Sequence, residues 1–194
     1  DIERKITEKT KAIIPVDYTG QPVNIDIIND IARKYGLIVI EDAAHSLGAE
    51  YNGCKTGSLT DMTTFSFHPV KHITTGEGGM ITTNDDEFYS KLKLFRNHGV
   101  TRSKEILHNK NEGPWYYEQI ELGYNYRITD IQAALGISQL NKIGKFLQKR
   151  REIAKKYNEH LKNIDGIILP YQGDNTKSSW HIYVIQLKLE KFRV

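Results

Sequence analysis

Short, unbroken runs of apolar residues alternate with a helical pattern in the first third of the chain. The runs Ala12–Val16 and Leu37–Ile40 are typical of strands that are covered on both faces in a parallel sheet. Between them, Asn24 can cap a helix whose apolar residues recur at helical spacing, and Gly36 can end it. Strand, helix and strand in this order predict a βαβ unit, and with it an α/β fold.

Further elements follow along the chain. Met62–Phe67 and Met80–Thr83 are predicted strands on either side of a glycine-rich turn, and Asp85–Phe95 is a predicted helix. Residues 97–123 show no clear periodicity and are predicted to form a loop, in which the aromatic cluster Trp115–Tyr117 is a candidate anchor.

The last third is predicted to begin with a long helix. Thr129 can cap it, and it is expected to run toward Leu161, since apolar residues repeat every seven positions. The repeating residues are Leu140, Leu147, Ala154 and Leu161. Two strands, Ile167–Leu169 and His181–Leu187, are predicted after this helix.

Composition describes an ordinary globular chain. Of the 194 residues, 39% are hydrophobic and 26% charged, and 27 basic against 24 acidic residues leave a charge of +3, too small a surplus to indicate nucleic-acid binding or an anionic membrane. No apolar run approaches the ~20 residues of a membrane span, and the first ten residues lack the apolar core of a signal peptide. Cys54 is the only cysteine, which favours a reducing, cytoplasmic location.

One charge cluster lies in residues 141–160. A solvated helix face is the favoured interpretation, because the apolar stripe keeps its helical spacing through the cluster, and nucleic-acid binding is the alternative. Its basic residues are Lys142, Lys145, Lys149, Arg150, Arg151, Lys155 and Lys156.

Polar residues whose side chains can bind a ligand or take part in catalysis follow two of the predicted strands. Asp42 and His45 come after the second strand, and Ser66 and Lys71 come at the end of Met62–Phe67. Each alone has an ordinary structural explanation, such as a helix cap, a core histidine or a surface amine. Ligands in open α/β sheets bind at the carboxyl ends of the strands, so the four residues together predict a site at one edge of the sheet.

Other chemistries fit these residues less well. His68 and His72 have the spacing of a helical metal pair, but Pro69 lies between them and no third ligand is evident, so no metal site is expected. The glycines of TTGEGGMITT do not fit a dinucleotide or P-loop motif, and no serine lies in a G-x-S-x-G motif. A lysine that can lose its proton near a carboxylate favours Schiff-base chemistry.

Four segments carry a resemblance to a known family. IEDAAHSLGAEYNG (40–53), FSFHPVKHITTGEGGMITTND (65–85), FRNHG (95–99) and GYNYRITDIQAALG (123–136) resemble the signature segments of the DegT/DnrJ/EryC1/StrS family. The resemblance implies aminotransferases that depend on pyridoxal 5'-phosphate (PLP), act on nucleotide-linked keto sugars and adopt the fold type I architecture. Within the family, the chain most resembles members of the pseudaminic acid pathway.

The resemblance implies roles for particular residues. Lys71 matches the lysine that bonds covalently to the cofactor aldehyde and later moves the proton, and Asp42 matches the carboxylate that faces the pyridine nitrogen. His45 matches a residue beside the cofactor ring. Ser66 matches a hydroxyl that binds the cofactor phosphate, and Asn125 matches a residue that reaches the partner subunit's phosphate.

The same resemblance implies partners. The expected substrates are L-glutamate and a 4-keto-6-deoxy sugar linked to a nucleotide, with UDP favoured, and the expected assembly is a homodimer with shared active sites. Arg127 and His181 are candidates for contacts with the substrate. The resemblance alone distinguishes amination at C4 from amination at C3.

The resemblance also predicts a domain organisation. Residues 1–128 match part of the cofactor-binding large domain, a mostly parallel sheet between helices; residues 129–162 match a connecting helix, and residues 163–194 the start of a small α+β domain. The family's phosphate-binding loop and ring-stacking aromatic precede the matching region, so the chain is expected to be a fragment. A truncated, non-catalytic domain and a PLP-dependent sugar dehydratase are the alternatives; Lys71 disfavours the dehydratase, in which histidine replaces the lysine.

Overall fold

A computed structural model of the protein describes residues 1–191. The strands are β1 (Ala12–Ile13), β2 (Ile38–Asp42), β3 (Glu50–Tyr51), β4 (Cys54–Lys55), β5 (Met62–Ser66), β6 (Gly79–Thr82), β7 (Val100–Thr101), β8 (Glu118–Gln119), β9 (Ile167–Ile168), β10 (Thr176–Lys177) and β11 (Gln186–Leu187). The α-helices are α1 (Ile25–Tyr35), α2 (Asp86–Arg96), α3 (Asp130–Leu140) and α4 (Ile143–Leu161).

The central sheet has the order β1-β2-β5-β6. Strands β1, β2 and β5 are parallel, with Asp42 opposite Thr64, which confirms the predicted βαβ unit and the α/β class. Strand β6 is antiparallel to β5, with Ser66 opposite Gly79, because the connection between them folds back along the edge of the sheet. The first strand is shorter than predicted, although Val16 still forms a bridge with Asp42.

Helix α1 follows its sequence signals. The Asn24 side chain accepts a hydrogen bond from the Ile27 N–H, and Gly36 ends the helix in the left-handed conformation at φ 62°. Ile28 and Ala32 pack against Val39 of β2, so the helix covers one face of the sheet. A second buried cluster joins β5 to the loop that follows it. Its residues are Ala43, Phe65, Phe67 and Ile73.

The predicted long helix is wrong in one respect, because it is divided into α3 and α4. At the junction the Lys142 N–H bonds to the Gln139 carbonyl, three residues back, which tightens the last turn of α3. The Thr129 cap is confirmed, as its side chain and that of Gln132 form a capping box. Of the heptad residues, Leu147 and Ala154 are buried, whereas Leu140 is half exposed.

The segment 97–123 was predicted to be a loop, but it contains the antiparallel pair β7 and β8. These strands are only two residues long, too short to produce a visible alternation of apolar and polar residues. The predicted aromatic anchor is wrong for Trp115, whose surface is 68% exposed.

The tail of the chain forms a separate strand pair and adds one strand to β3 and β4. Strands β9 and β11 pair with each other, in line with the two predicted strands, although only Gln186 and Leu187 of His181–Leu187 are in strand conformation. Strand β10, which the pattern did not predict, pairs with β3. Residues 176–179 thus contact elements of the predicted large domain, and the boundaries at 128 and 162 stay predictions. Phe192–Val194 of the predicted small domain lie outside the described residues.

The basic cluster is only partly a solvated face. Lys149 pairs with Glu152 and Lys155 with Glu159, as expected on an exposed helix. Arg150 and Arg151, in contrast, turn inward and donate to backbone carbonyls of residues 178–181. Within residues 1–191, none of the helices combines the length and the apolar character needed to cross a membrane.

Candidate active site

The carboxyl ends of β2 and β5 lie side by side, as the sequence predicted. Asp42 is the last residue of β2, and Ser66 is the last residue of β5. The Asp42 carboxylate accepts a hydrogen bond from the Ala44 N–H at 3.1 Å, and the Ser66 hydroxyl lies 3.4 Å from the His68 N–H. Both side chains are half buried, so each retains acceptor capacity for a ligand at this edge.

Lys71 lies in the loop that leaves this edge of the sheet. Its N–H bonds to the His68 carbonyl at 3.0 Å, and the far end of the loop is fixed by the Thr75 N–H, which bonds to Phe67 at 3.1 Å. Ile73 is buried in the core between these points. The loop is therefore anchored at both ends, and it holds the half-buried amine of Lys71 beside the end of β5.

Three histidine rings lie next to one another, tilted with respect to each other, near Lys71. The ring centroids of His45 and His181 are 4.4 Å apart, and those of His181 and His72 are 5.3 Å apart. His72 bonds through Nε2 to the Ser179 carbonyl at 3.2 Å. In the described part of the chain, the Nδ1 atoms of all three rings are buried without a hydrogen-bond partner. Each of these atoms is therefore able to bond to a polar group of a ligand or to a water molecule.

The three histidines are neutral near pH 7. Burial lowers the pKa of His72 to about 3 and that of His181 to about 4. Burial also lowers the pKa of His45, and the positive charge of Lys71 adds to this effect, whereas Asp42 opposes it. The amine of Lys71 also contributes to the lowered pKa of His181. These couplings place Asp42, His45, Lys71 and His181 in one site.

His181 reaches this site because the tail is tied to the turn after β1. The Ser179 N–H bonds to the Gly20 carbonyl at 3.0 Å, and the His181 N–H bonds to the Thr19 carbonyl at 2.8 Å. Gly20 has φ 99°, and an added Cβ would lie 2.5 Å from the Ser179 Oγ, so only glycine permits this contact. Arg150 completes the attachment by donating to the carbonyls of Trp180 and His181.

Asn125 and Arg127 are exposed and make their contacts elsewhere. Asn125 forms a bridge with Asn97 after α2, and Arg127 donates to the Asn97 side chain and lies 3.3 Å from His98. No hydrogen bond in the described region joins either residue to Lys71 or Asp42. Of the seven predicted residues, the structure therefore groups Lys71 with three others, puts Ser66 at the neighbouring strand end, and leaves Asn125 and Arg127 on the surface.

Sequence reasoning missed His72 and Arg150 as parts of this site. His72 was considered only as a metal ligand with His68, but His72 is buried against Ser179 while His68 is exposed beside Glu77. Among residues 1–191 no group of three His, Cys, Asp or Glu side chains is arranged to hold a metal. The position of His72 next to Lys71 was the available signal. Arg150 gave none, because its partners are backbone carbonyls distant in sequence.

The sequence of the chain is similar to those of several known proteins. An uncharacterized protein of Methanocaldococcus jannaschii, MJ1066, is 50% identical over 194 residues, which are 100% of this chain and 50% of that protein. The UDP-4-amino-4,6-dideoxy-N-acetyl-β-L-altrosamine transaminase of Campylobacter jejuni is 44% identical over 176 residues, 91% of this chain and 44% of the relative. The chain thus spans about half the length of the relatives that it matches.

A solved structure has the same fold. The structure of Helicobacter pylori PseC, described as an aminotransferase involved in the biosynthesis of pseudoaminic acid, superposes with a TM-score of 0.88 at 37% identity, covering 97% of this chain and 48% of that one. The similarity confirms the predicted aminotransferase architecture. The DegT/DnrJ/EryC1/StrS aminotransferase family matches residues 1–193, almost the whole chain. The chain therefore belongs to the DegT/DnrJ/EryC1/StrS aminotransferase family.

Proposed function

We propose that the protein is a PLP-dependent aminotransferase that moves an amino group from L-glutamate to a nucleotide-linked 4-keto-6-deoxy sugar. The observation that carries the proposal is the placement of Lys71, Asp42 and His45 around one edge of the sheet, in a chain of this family. By its relatives' activities, the product belongs to amino-sugar, polysaccharide or glycan biosynthesis, with the pseudaminic acid pathway as the narrower proposal.

The residues at the strand ends fit PLP, the cofactor on which aminotransferases of this family depend. Asp42 provides a carboxylate for the protonated pyridine nitrogen, and Ser66 provides a hydroxyl for the phosphate. The unpartnered Nδ1 of His45 provides a polar contact beside the ring. Lys71 provides the primary amine that an aldehyde requires. When bound, the cofactor supplies an electron sink for the carbanion at the donor carbon.

The protein side chains then have distinct tasks. Lys71 would take the proton from the α-carbon of the amino donor and return it on the cofactor side; water would supply the carbonyl oxygen of the 2-oxo acid, and the amino group would be kept for transfer to the sugar. The Asp42 carboxylate would face the pyridine nitrogen and so keep that nitrogen protonated. The three neutral histidines place no positive charge beside Lys71.

An amino-transfer assay tests this function. The purified protein is supplied with PLP, L-glutamate and a panel of 3-keto and 4-keto sugars linked to UDP or to other nucleotides. We expect equal amounts of 2-oxoglutarate and amino sugar, detected by mass spectrometry, with a 4-keto sugar preferred. A product that has lost water and gained no nitrogen would identify a dehydratase instead. Failure to transfer with PLP bound would support the non-catalytic alternative.

The proposal includes a homodimer with shared active sites. Helix α3 supports it, since the helix is apolar and has no buried residue: Ile131 is 85% exposed and Ile137 64%. Its other side contacts the loop after Lys71, where the Gln132 side chain donates to the Glu77 carbonyl at 3.0 Å. A second copy on α3 would cover the apolar face directly beside the site. Asn125 and Arg127, which precede α3, are then available to the partner's cofactor and substrate.

Charge on this face is expected to weaken the dimer. Ile131→Glu places a carboxylate in the proposed interface and should raise the dimer dissociation constant at least about tenfold, whereas Ile27→Glu, on the exposed face of α1, should leave it unchanged. Analytical ultracentrifugation of both variants at matched concentrations measures the difference. An Ile131→Glu protein that dimerises as tightly as the wild type would place the interface elsewhere.

A cytoplasmic location is also part of the proposal. Cys54, the only cysteine of the chain, is exposed and unpaired, which suits a reducing compartment.

A further inference from the structure

Two buried carboxyl groups lie directly behind the candidate site. Asp17 and Glu41 are both fully buried. Glu41 precedes Asp42 on β2, and its side chain points to the opposite face of the sheet. No Lys or Arg side chain in residues 1–191 pairs with either carboxyl group, so the usual compensation for a buried charge is absent.

The hydrogen-bond partners of the two carboxyl groups differ. Both oxygens of Asp17 accept bonds, one from the Val23 N–H at 3.0 Å and one from the Ser46 hydroxyl at 2.6 Å. On Glu41, Oε2 accepts from the Thr63 hydroxyl at 2.9 Å, but no protein group donates to Oε1 in the described structure. The Glu41 carboxyl group instead forms a side-chain hydrogen bond with Asp17. Two facing acceptors require a proton between them.

Asp17 connects this pair to the residues of the site. Its N–H bonds to the Asp42 carbonyl at 3.1 Å, while its carboxylate holds the hydroxyl of Ser46, the residue after His45. The short segment 42–46, which carries both Asp42 and His45, is thus fixed at its two ends by one aspartate. The Asp17 backbone fixes the Asp42 end of the segment, and the Asp17 side chain fixes the Ser46 end next to His45.

We propose that Glu41 and Asp17 share one proton as a positioning pair, in which neutral Glu41 donates to ionised Asp17 and so holds Asp42 and His45 in place. The positioning role rests on the proposed function, whereas the shared proton does not. Burial, followed by the charge of Asp17, raises the pKa of Glu41 to about 7. The Thr63 hydroxyl and the backbone at Gly57 also lie beside Glu41, and the charge of Asp42 acts on Asp17.

Infrared spectroscopy of the protein without cofactor tests the shared proton. At pH 6 the wild type should show the carbonyl stretch of a protonated carboxylic acid, and Glu41→Gln should lack it. Asp86→Asn, at an exposed position of α2, is the control and should retain it. A wild-type spectrum without the band, or a band that survives in Glu41→Gln, would overturn the shared proton.

Stability against pH gives a second, independent readout. Because the folded state holds the Glu41 proton more tightly than the unfolded chain does, the wild type should lose stability as the pH rises from about 4.5 through about 7. The folding equilibrium constant should fall on the order of a hundredfold over that range. Glu41→Gln should remove this part of the pH dependence. An equal dependence in both proteins would contradict the assignment.

Cofactor affinity tests the positioning role. Gln keeps a neutral donor at position 41, so Glu41→Gln should bind PLP within about threefold of the wild type, whereas Glu41→Met removes the donor and should bind it at least about tenfold more weakly. Circular dichroism verifies that both variants are folded. Equal affinity of folded Glu41→Met and wild type would refute the positioning role, even if the infrared band is present. Loss of amino transfer in every assay would instead refute the proposed function and leave the shared proton standing.

Discussion

Lys71→Ala is expected to abolish covalent retention of PLP and to lower the rate of amino transfer by about 10²–10⁴-fold. The expectation follows from the position of Lys71: its amine is held by an anchored loop next to the end of β5 and beside His45 and His181. Alanine removes both the group that bonds to the aldehyde and the base that moves the proton. The loop itself should persist, because it is fixed by Thr75 and Ile73 rather than by the lysine.

Borohydride reduction followed by peptide mass spectrometry measures the covalent link. In the wild type the modified peptide should carry PLP on Lys71, and in Lys71→Ala no lysine should be modified to a comparable extent. Lys145→Ala, which changes an exposed lysine of α4, is the matched control and should behave as the wild type. If Lys71→Ala still forms a reducible link of equal yield, another lysine holds the cofactor and the assignment is wrong.

The structure shows which features local sequence patterns can determine. Helix α1 and the parallel strands around it followed from apolar runs and from two capping residues, because these signals act within a few positions of the chain. The clustering of Asp42, His45 and Lys71 followed from one rule, that parallel strands end at the same edge of a sheet. Local apolar patterns together with that rule were sufficient to predict that these three residues lie close together.

The features that the sequence did not reveal depend on contacts between distant segments. Strand β10 is two residues long and exists because β3 offers an edge to it. His181 was expected in a strand and lies instead in an irregular segment that is held by Gly20 and Arg150. Neither contact leaves a periodic signal, since one partner is a backbone carbonyl in each case. The division between α3 and α4 also leaves no sequence signal, because it changes one backbone hydrogen bond and does not interrupt the pattern of apolar residues.

The same distinction applies to the electrostatics of the site. A sequence identifies histidines but not their charge, which here is decided by burial and by the neighbouring Lys71. The rings of His45, His181 and His72 come from distant parts of the chain and lie next to one another, and their burial keeps them neutral. Asp42, at the end of β2, is the carboxylate that we propose to face the cofactor, and its removal should have a large effect.

Asp42→Asn is expected to lower kcat for amino transfer by about 10²–10³-fold with little change in KM for the sugar. Asparagine is nearly the same size and can still accept the Ala44 N–H, so the fold should be preserved. It lacks the negative charge that keeps the pyridine nitrogen protonated, and the effect should therefore appear in the chemical step.

Single-turnover measurements separate this effect from a loss of cofactor. With PLP saturating, the rate at which L-glutamate is converted to 2-oxoglutarate should fall in Asp42→Asn and remain at the wild-type value in Asp86→Asn, the same change at an exposed site on α2. Because Asp42 acts on the cofactor and not on the sugar, the rate of complete amino transfer should fall by the same factor for every sugar in the panel. A loss confined to one sugar, or an unchanged single-turnover rate, would assign Asp42 to substrate binding or to structure instead.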